Sequence, residues 1–176
     1  MRGWLSFLLV VAIVAIAAHV AVVTAMPRVI MNAAMKRLEQ SSAEAAPGWR
    51  HAPRTTPDSR AIVRPSPDLA YSACVYDLNE GPVRITMAPG ADYWSLSLYA
   101  ANSDNFFTRN DRAAPDGVAI TLIRRGARAP AGAGEIVESP SVRGIAIQRR
   151  LAPTAAALAH PDPARPGDRC ERRGAQ

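Results

Sequence analysis

Histidine and cysteine are scarce in this chain, with three and two copies among 176 residues. There is no CxxC, no HExxH and no histidine pair at helical spacing, so the common zinc sites are excluded and no metal is expected. No GxSxG elbow exposes a serine nucleophile. Cys74 with His51 or His160 is the one thiol–imidazole pairing left open, and a disulfide at Cys74 would remove it. No stretch reads as a cofactor motif, internal repeat or long low-complexity tract, and no cofactor is expected. Lysine is nearly absent, one against twenty arginines, a bias of GC-rich bacterial coding that carries no information about ligand.

Charge is missing altogether from Trp4 to Met26, a run of 23 residues (26 − 4 + 1). As a helix rising 1.5 Å per residue it would span about 34 Å, enough to cross a hydrocarbon core of about 30 Å. A cleavable signal peptide is the competing reading: Arg2 supplies a basic start and Val23-Thr24-Ala25 a small-residue site. Leu5 to Val23 is longer than a secretory apolar region, and Pro27 would lie just past the cut, so the run is expected to remain as an anchor. Arg2 before it against Arg28, Lys36 and Arg37 after it favours a cytoplasmic C-terminal flank, although long domains translocate largely regardless of charge. His19 within the run is read as a neutral imidazole that bonds to a backbone carbonyl or snorkels, in preference to a role in helix pairing or proton transfer, and there is no GxxxG motif.

Beyond the run, Val29, Ile30, Ala33, Ala34 and Leu38 recur at helical spacing, which predicts an amphipathic juxtamembrane helix with Arg28, Lys36 and Arg37 facing anionic head groups. Pro47, Gly48, Pro53 and Pro57 break any regular element, so residues 45–57 read as a tether that Trp49 could fasten to the bilayer interface or to the domain. The expected division is an anchor at 1–26, helix and tether at 27–61, one domain at 62–170 and a tail at 171–176.

Period-two patterning fills that domain. Val83, Ile85 and Met87 alternate with Arg84 and Thr86; Trp94, Leu96 and Leu98 alternate with Ser95, Ser97 and Tyr99; Val118, Ile120 and Leu122 repeat the pattern. Shorter strands are expected at Tyr71–Asp77, around Phe106-Phe107, at Ile136-Val137 and over Gly144–Leu151, where Ile145, Ile147 and Leu151 share a side with Arg149. Asn79 to Pro82 and Pro89-Gly90 are turns, and residues 154–160 predict a short helix after Pro153. Six or seven strands at about ten-residue spacing predict an all-β fold, an antiparallel, jelly-roll-like β-sandwich, tethered to one transmembrane helix.

The net charge is +6, but residues 41–176 hold 17 basic and 14 acidic side chains (21 − 4 and 15 − 1), a net of +3 with scattered arginines. No nucleic-acid partner is expected. Cys74 and Cys170 are expected to form a disulfide if the domain is exported, closing nearly the whole domain and pinning the Pro-rich tail to the first strand; the alternative is two free thiols. Asn102, Asp104, Asn105, Asn110 and Asp111 are oxygen-rich enough for Ca²⁺ or a sugar, but lack EF-hand spacing and match what turns require. Asp68, Asp77, Asp92, Asp104 and Asp111 could supply an acid/base pair. Asp68 reads instead as a turn residue and Asp77 as a strand end. Tyr93 and Tyr99, sharing a face with Ser95 and Ser97, form a better binding surface, unless they face the opposite sheet.

Arg64-Pro65-Ser66-Pro67-Asp68-Leu69-Ala70-Tyr71-Ser72, then Tyr76 to Pro82, Tyr93 to Tyr99 and Asn110-Asp111 run in an order that resembles the bacterial DUF1254 family. Ser141 to Ile145 and Arg149 to Pro153 are similar to its later strand. The resemblance implies a β-sandwich in the periplasm, of the short membrane-anchored type that lacks the DUF1214 domain of longer members. A protein carrying that domain is the implied partner, beside the lipid bilayer. No catalytic residue follows from it; Tyr76, Asp77, Tyr99, Asn110 and Asp111 are candidates for a shared binding or structural role. The expected activity is binding or interaction in the cell envelope, with a periplasmic hydrolase or carbohydrate-active enzyme using the Asp/Asn cluster as the alternative.

Overall fold

The structure, a computed structural model, describes residues 2–40, 48–56, 59, 65–154, 156–157 and 167–172. Among the described residues one helix, α1 (Arg2–Gln40), precedes nine strands: β1 (Arg50–His51), β2 (Leu69–Asp77), β3 (Val83–Met87), β4 (Trp94–Ala100), β5 (Asn105–Asn110), β6 (Val118–Arg124), β7 (Glu135–Ser139), β8 (Arg143–Leu151) and β9 (Arg169–Arg172). They form two sheets, one ordered β1-β2-β8-β4-β5 and the other β7-β6-β3-β9.

The clearest alternations become the strands that fill the space between the sheets. Val83, Ile85 and Met87, Trp94, Leu96 and Leu98, and Val118, Ile120 and Leu122 are all buried and join one cluster with Trp49 and Tyr76. Each fully buried aliphatic side chain there contributes about 1.5–3 kcal/mol against the entropy of ordering the chain. Cys74 on β2 bonds to Cys170 on β9, 6.5 Å apart at Cα, so the disulfide links one sheet to the other.

Four features differ from the sequence expectations. The sandwich is mixed rather than wholly antiparallel, because β7 runs parallel to β6 (Ile120 opposite Glu135, Leu122 opposite Val137). Two strands were not expected. β1 pairs with β2 inside the segment read as a tether, and Trp49 beside it is 1% exposed in the core, which makes the domain, not the bilayer interface, its docking place. Gly48 permits this because its φ of +80° lets the backbone pass over the Cys170 carbonyl, where a Cβ would collide. β9 pairs with β3 and is too short and charged to show in a hydropathy pattern. The helix expected at 154–160, the prolines at 161, 163 and 166 and the start of the domain at 62 fall largely outside the described residues.

The fourth difference is the helix. The apolar run and the juxtamembrane segment are a single α1 with Pro27 inside it. Proline removes one i→i−4 bond, and nearby the Arg28 guanidinium donates to the Thr24 carbonyl at 2.6 Å. The buried stripe is Met31, Ala34, Met35 and Leu38, packed on Ala73 and Val75 of β2, Tyr99 of β4 and Ile145 and Ile147 of β8. Val29 and Ile30 point away, 62% and 53% exposed. Both stripes have helical spacing, and the outer face of the sheet selects one of them.

Candidate functional site

That docking defines the outer face of the five-stranded sheet. Ser103, just after β4, donates its hydroxyl to the Pro27 carbonyl at 3.2 Å, and Arg50 on β1 donates to the Glu39 carbonyl at 3.4 Å. The helix therefore crosses the sheet from the β4 side to the β1 edge, over β8 and β2. Arg143 pairs with Glu39 of the helix and, at 3.1 Å through Nε, with Asp77 of β2. These side chains are 33–45% exposed, so the pairs set registry more than stability.

Asp77 thus belongs to the helix dock, and its other oxygen accepts from the Asn79 amide at 2.9 Å, ending the strand. Tyr99 also lies at the dock, packed against the cluster that Met31, Met35 and Ile145 form. Tyr76 points the opposite way and is 1% exposed between the sheets. Its hydroxyl lies 3.1 Å from the Tyr99 carbonyl and 3.1 Å from Ser139 Oγ, which is 2.6 Å from the Ser141 carbonyl, so two hydroxyl protons serve three contacts. Burial pushes its phenol above the usual 10.0, opposed by smaller effects of Ser139 and Ser141. Gly144 on β8 makes room for it, since a Cβ there would occupy the place of the phenol oxygen.

Asn110 and Asp111 lie at the far end of the sheet. Asn110 pairs with Ser95, which pairs with Arg149, six residues along β8 from the Arg143 opposite Asp77. At about 3.3 Å per residue that is roughly 20 Å. Asn110 closes a turn, accepting from the Ala113 amide through its side chain at 3.0 Å. Asp104 sits in another turn with Asn102, at 2.5 Å. Asp77, Asp104 and Asp111 therefore occupy three separate turns, with Asp111 at the opposite end of the sheet from Asp77. Among the described residues no group of three His, Cys, Asp or Glu side chains could hold a metal. A shallow cleft between β2 and β9 is lined by Asp77 and Glu80, but Asp77 is paired to Arg143 and Glu80 to Arg172.

The polar group that the sequence did not reveal lies inside the sandwich. Asp168, 0% exposed, accepts from the Ala88 amide at 2.8 Å, from Arg150 Nη2 at 3.2 Å to each oxygen and from Gln148 Nε2. Arg150 also donates to the Ala88 carbonyl at 2.8 Å. Gln148 and Arg150 face inward while Ile145, Ile147 and Arg149 face out, so the isoleucine face of β8 serves the helix and its polar face serves the core. Alternation alone cannot distinguish these, because both faces of this strand are covered. The Asp168 cluster clasps the chain entering β9 to β3 and β8, beside the disulfide.

A two-sheet β-sandwich with an N-terminal helix docked on one outer face is the class of protein that this architecture defines. The chain belongs to the DUF1254 family, described as a protein of unknown function, whose model matches residues 49–164. Among solved structures it is similar to a Vibrio parahaemolyticus protein, at 16% identity and a TM-score of 0.48, over 54% of this chain and 25% of that one. It is also similar to an uncharacterised Burkholderia cenocepacia protein, at 16% identity and a TM-score of 0.43, over 72% of this chain and 36% of that one. The chain thus spans about a quarter to a third of the length of these structures. No curated protein matches it.

Proposed function

We propose that this protein is a single-pass, membrane-anchored binding module that presents a jelly-roll-like β-sandwich on the outer side of a bacterial inner membrane. The observation that carries the reading is the continuity of α1. Its apolar part is long and apolar enough to cross a membrane, as a signal sequence can also be, and the same unbroken helix runs on into a stripe packed on the sandwich. A domain fixed to the end of a spanning helix is held at the bilayer surface rather than released on a tether. The inter-sheet disulfide supports an oxidising compartment and hence the periplasmic side.

A partner protein bearing a DUF1214 domain is the natural occupant of such a module, on the family resemblance of the short type. The acid/base alternative gains nothing from Asp77, which pairs with Arg143, or from Asp111 at the far end of the sheet.

The test is alkaline phosphatase fused after Gln176, with the size of the membrane-bound product read in parallel. Active enzyme on an uncleaved, membrane-integral chain is expected. A stable but inactive fusion would overturn the periplasmic side, and a soluble, shortened product would overturn the anchor. Pull-down of the detergent-extracted protein without any DUF1214-bearing protein would remove the partner.

A further inference from the structure

Beyond the helix dock, the outer face of the five-stranded sheet carries an arginine with no carboxylate partner among the described residues. Arg149 on β8 lies directly between Tyr71 on β2 and Ser95 on β4, and its guanidinium donates to Ser97 Oγ at 3.2 Å and to the Tyr99 hydroxyl at 3.3 Å. Those two bonds use two of its five N–H donors. Ser97 and Tyr99 accept from Arg149 and so keep their own protons to donate elsewhere. Ser95, opposite Arg149 and on the same face, is 4% exposed, and among the described residues its hydroxyl has no hydrogen-bond partner. A buried hydroxyl left this way costs about 1–3 kcal/mol. The patch therefore holds a surplus of donors, one positive charge and a deficit of acceptors.

From this geometry we propose that the Arg149 patch binds a small organic carboxylate, with the carboxylate on the free edge of the guanidinium and the hydroxyls of Ser95, Ser97 and Tyr99 as neutral donors. One uncompensated cation balances one negative charge, and the planar fork of arginine matches a carboxylate. The surroundings suit an acid with an apolar body. Tyr93 and Leu151, 42% and 40% exposed, lie one alternation further along the same face, joined by a bond from the Leu151 amide to the Tyr93 carbonyl at 2.9 Å. On the other side Tyr99 packs against the cluster of Met31, Met35 and Ile145, so the helix dock bounds the patch.

This rests on reading the domain as a binding module and not on which side of the membrane it faces. The topology fusion and the binding experiment can therefore fail separately. The probe is sodium benzoate, titrated at constant ionic strength into the full chain in zwitterionic nanodiscs and followed by the arginine Nε–H resonance that is lost in Arg149→Gln. A saturable shift is expected, with affinity weakened at least about tenfold in Arg149→Lys, which keeps the charge but not the fork. Ser95→Ala, which removes no existing hydrogen bond and should leave folding intact, is expected to weaken benzoate by about threefold. The absence of a saturable shift, unchanged binding in both Arg149→Lys and Ser95→Ala, or tighter binding of inorganic phosphate than of benzoate would each overturn the proposal.

Discussion

Arg150 and Asp168 meet at 3.2 Å with side chains only 5% and 0% exposed, joining β8 to the chain just before β9. Removing the charge from one partner of such a pair leaves the other buried without compensation, which costs about 3–5 kcal/mol. Asp168→Asn is therefore expected to lower unfolding free energy by that amount in urea denaturation of the full chain. A loss below about 1 kcal/mol would mean that the clasp is no more than a surface pair. Replacing both residues by apolar side chains of similar volume should recover much of the loss.

The disulfide closes a loop with a sequence separation of 96. In the chain-entropy model a loop of that size stabilises by at most about 4–5 kcal/mol. Cys74→Ser is expected to lose a substantial part of this, and denatured, unreduced protein from the envelope should resist thiol alkylation. Ready labelling of both cysteines in freshly exported protein would contradict the bridge.

Tyr76 makes alkaline stability diagnostic. Its phenol is raised above 10.0 by burial, so the unfolded chain ionises it before the folded chain does. The stabilisation is fully present below about pH 10 and is lost as pH rises through the folded value. Tyr76→Phe should cost about 1 kcal/mol at neutral pH through lost hydrogen bonds. The gap to the parent should narrow above about pH 10, as measured by denaturation from neutral to alkaline pH. A gap that is constant across that range would show that Tyr76 does not titrate with unfolding.

Met35, 4% exposed, is more deeply buried in the dock than Met31 at 9%. Met35→Ala should cost about 2–3 kcal/mol of docking energy. Amide exchange should then quicken along residues 27–40 and at Ile145 and Ile147, while the core strands β3 and β6 keep their protection. Unchanged exchange in the helix would show that the sandwich does not hold it.

Gly144→Ala should prevent accumulation of folded protein, because a Cβ there meets both the Tyr76 hydroxyl and the Tyr99 carbonyl. Accumulation at the parental level, assayed by membrane fractionation, would require that Tyr76 leave its place.

Much of the fold was legible because burial on one face of a strand imposes period two. Val83 to Met87, Trp94 to Leu98 and Val118 to Leu122 are read correctly for that reason, as are the turns at Asn79 and Asn110, where side chains close the backbone locally. β1 and β9 were illegible, because two and four residues make no period and their pairing partners lie far away in sequence. The candidate site was legible in part: Asp77 and Tyr99 were named, but the link from Asp77 through Arg143 to Glu39 required the helix to cross the sheet.

Composition and periodicity, which depend only on neighbours along the chain, settled the apolar helix, the core strands and the absence of metal and nucleophile motifs. Which side of that helix is covered, which face of β8 turns inward, and that Asp168 meets Arg150 while Arg149 meets the hydroxyls of Ser97 and Tyr99 were decided by tertiary structure. Those outcomes depend on which desolvated groups find partners across the sheets, and period two is blind to that when both faces of a strand are covered.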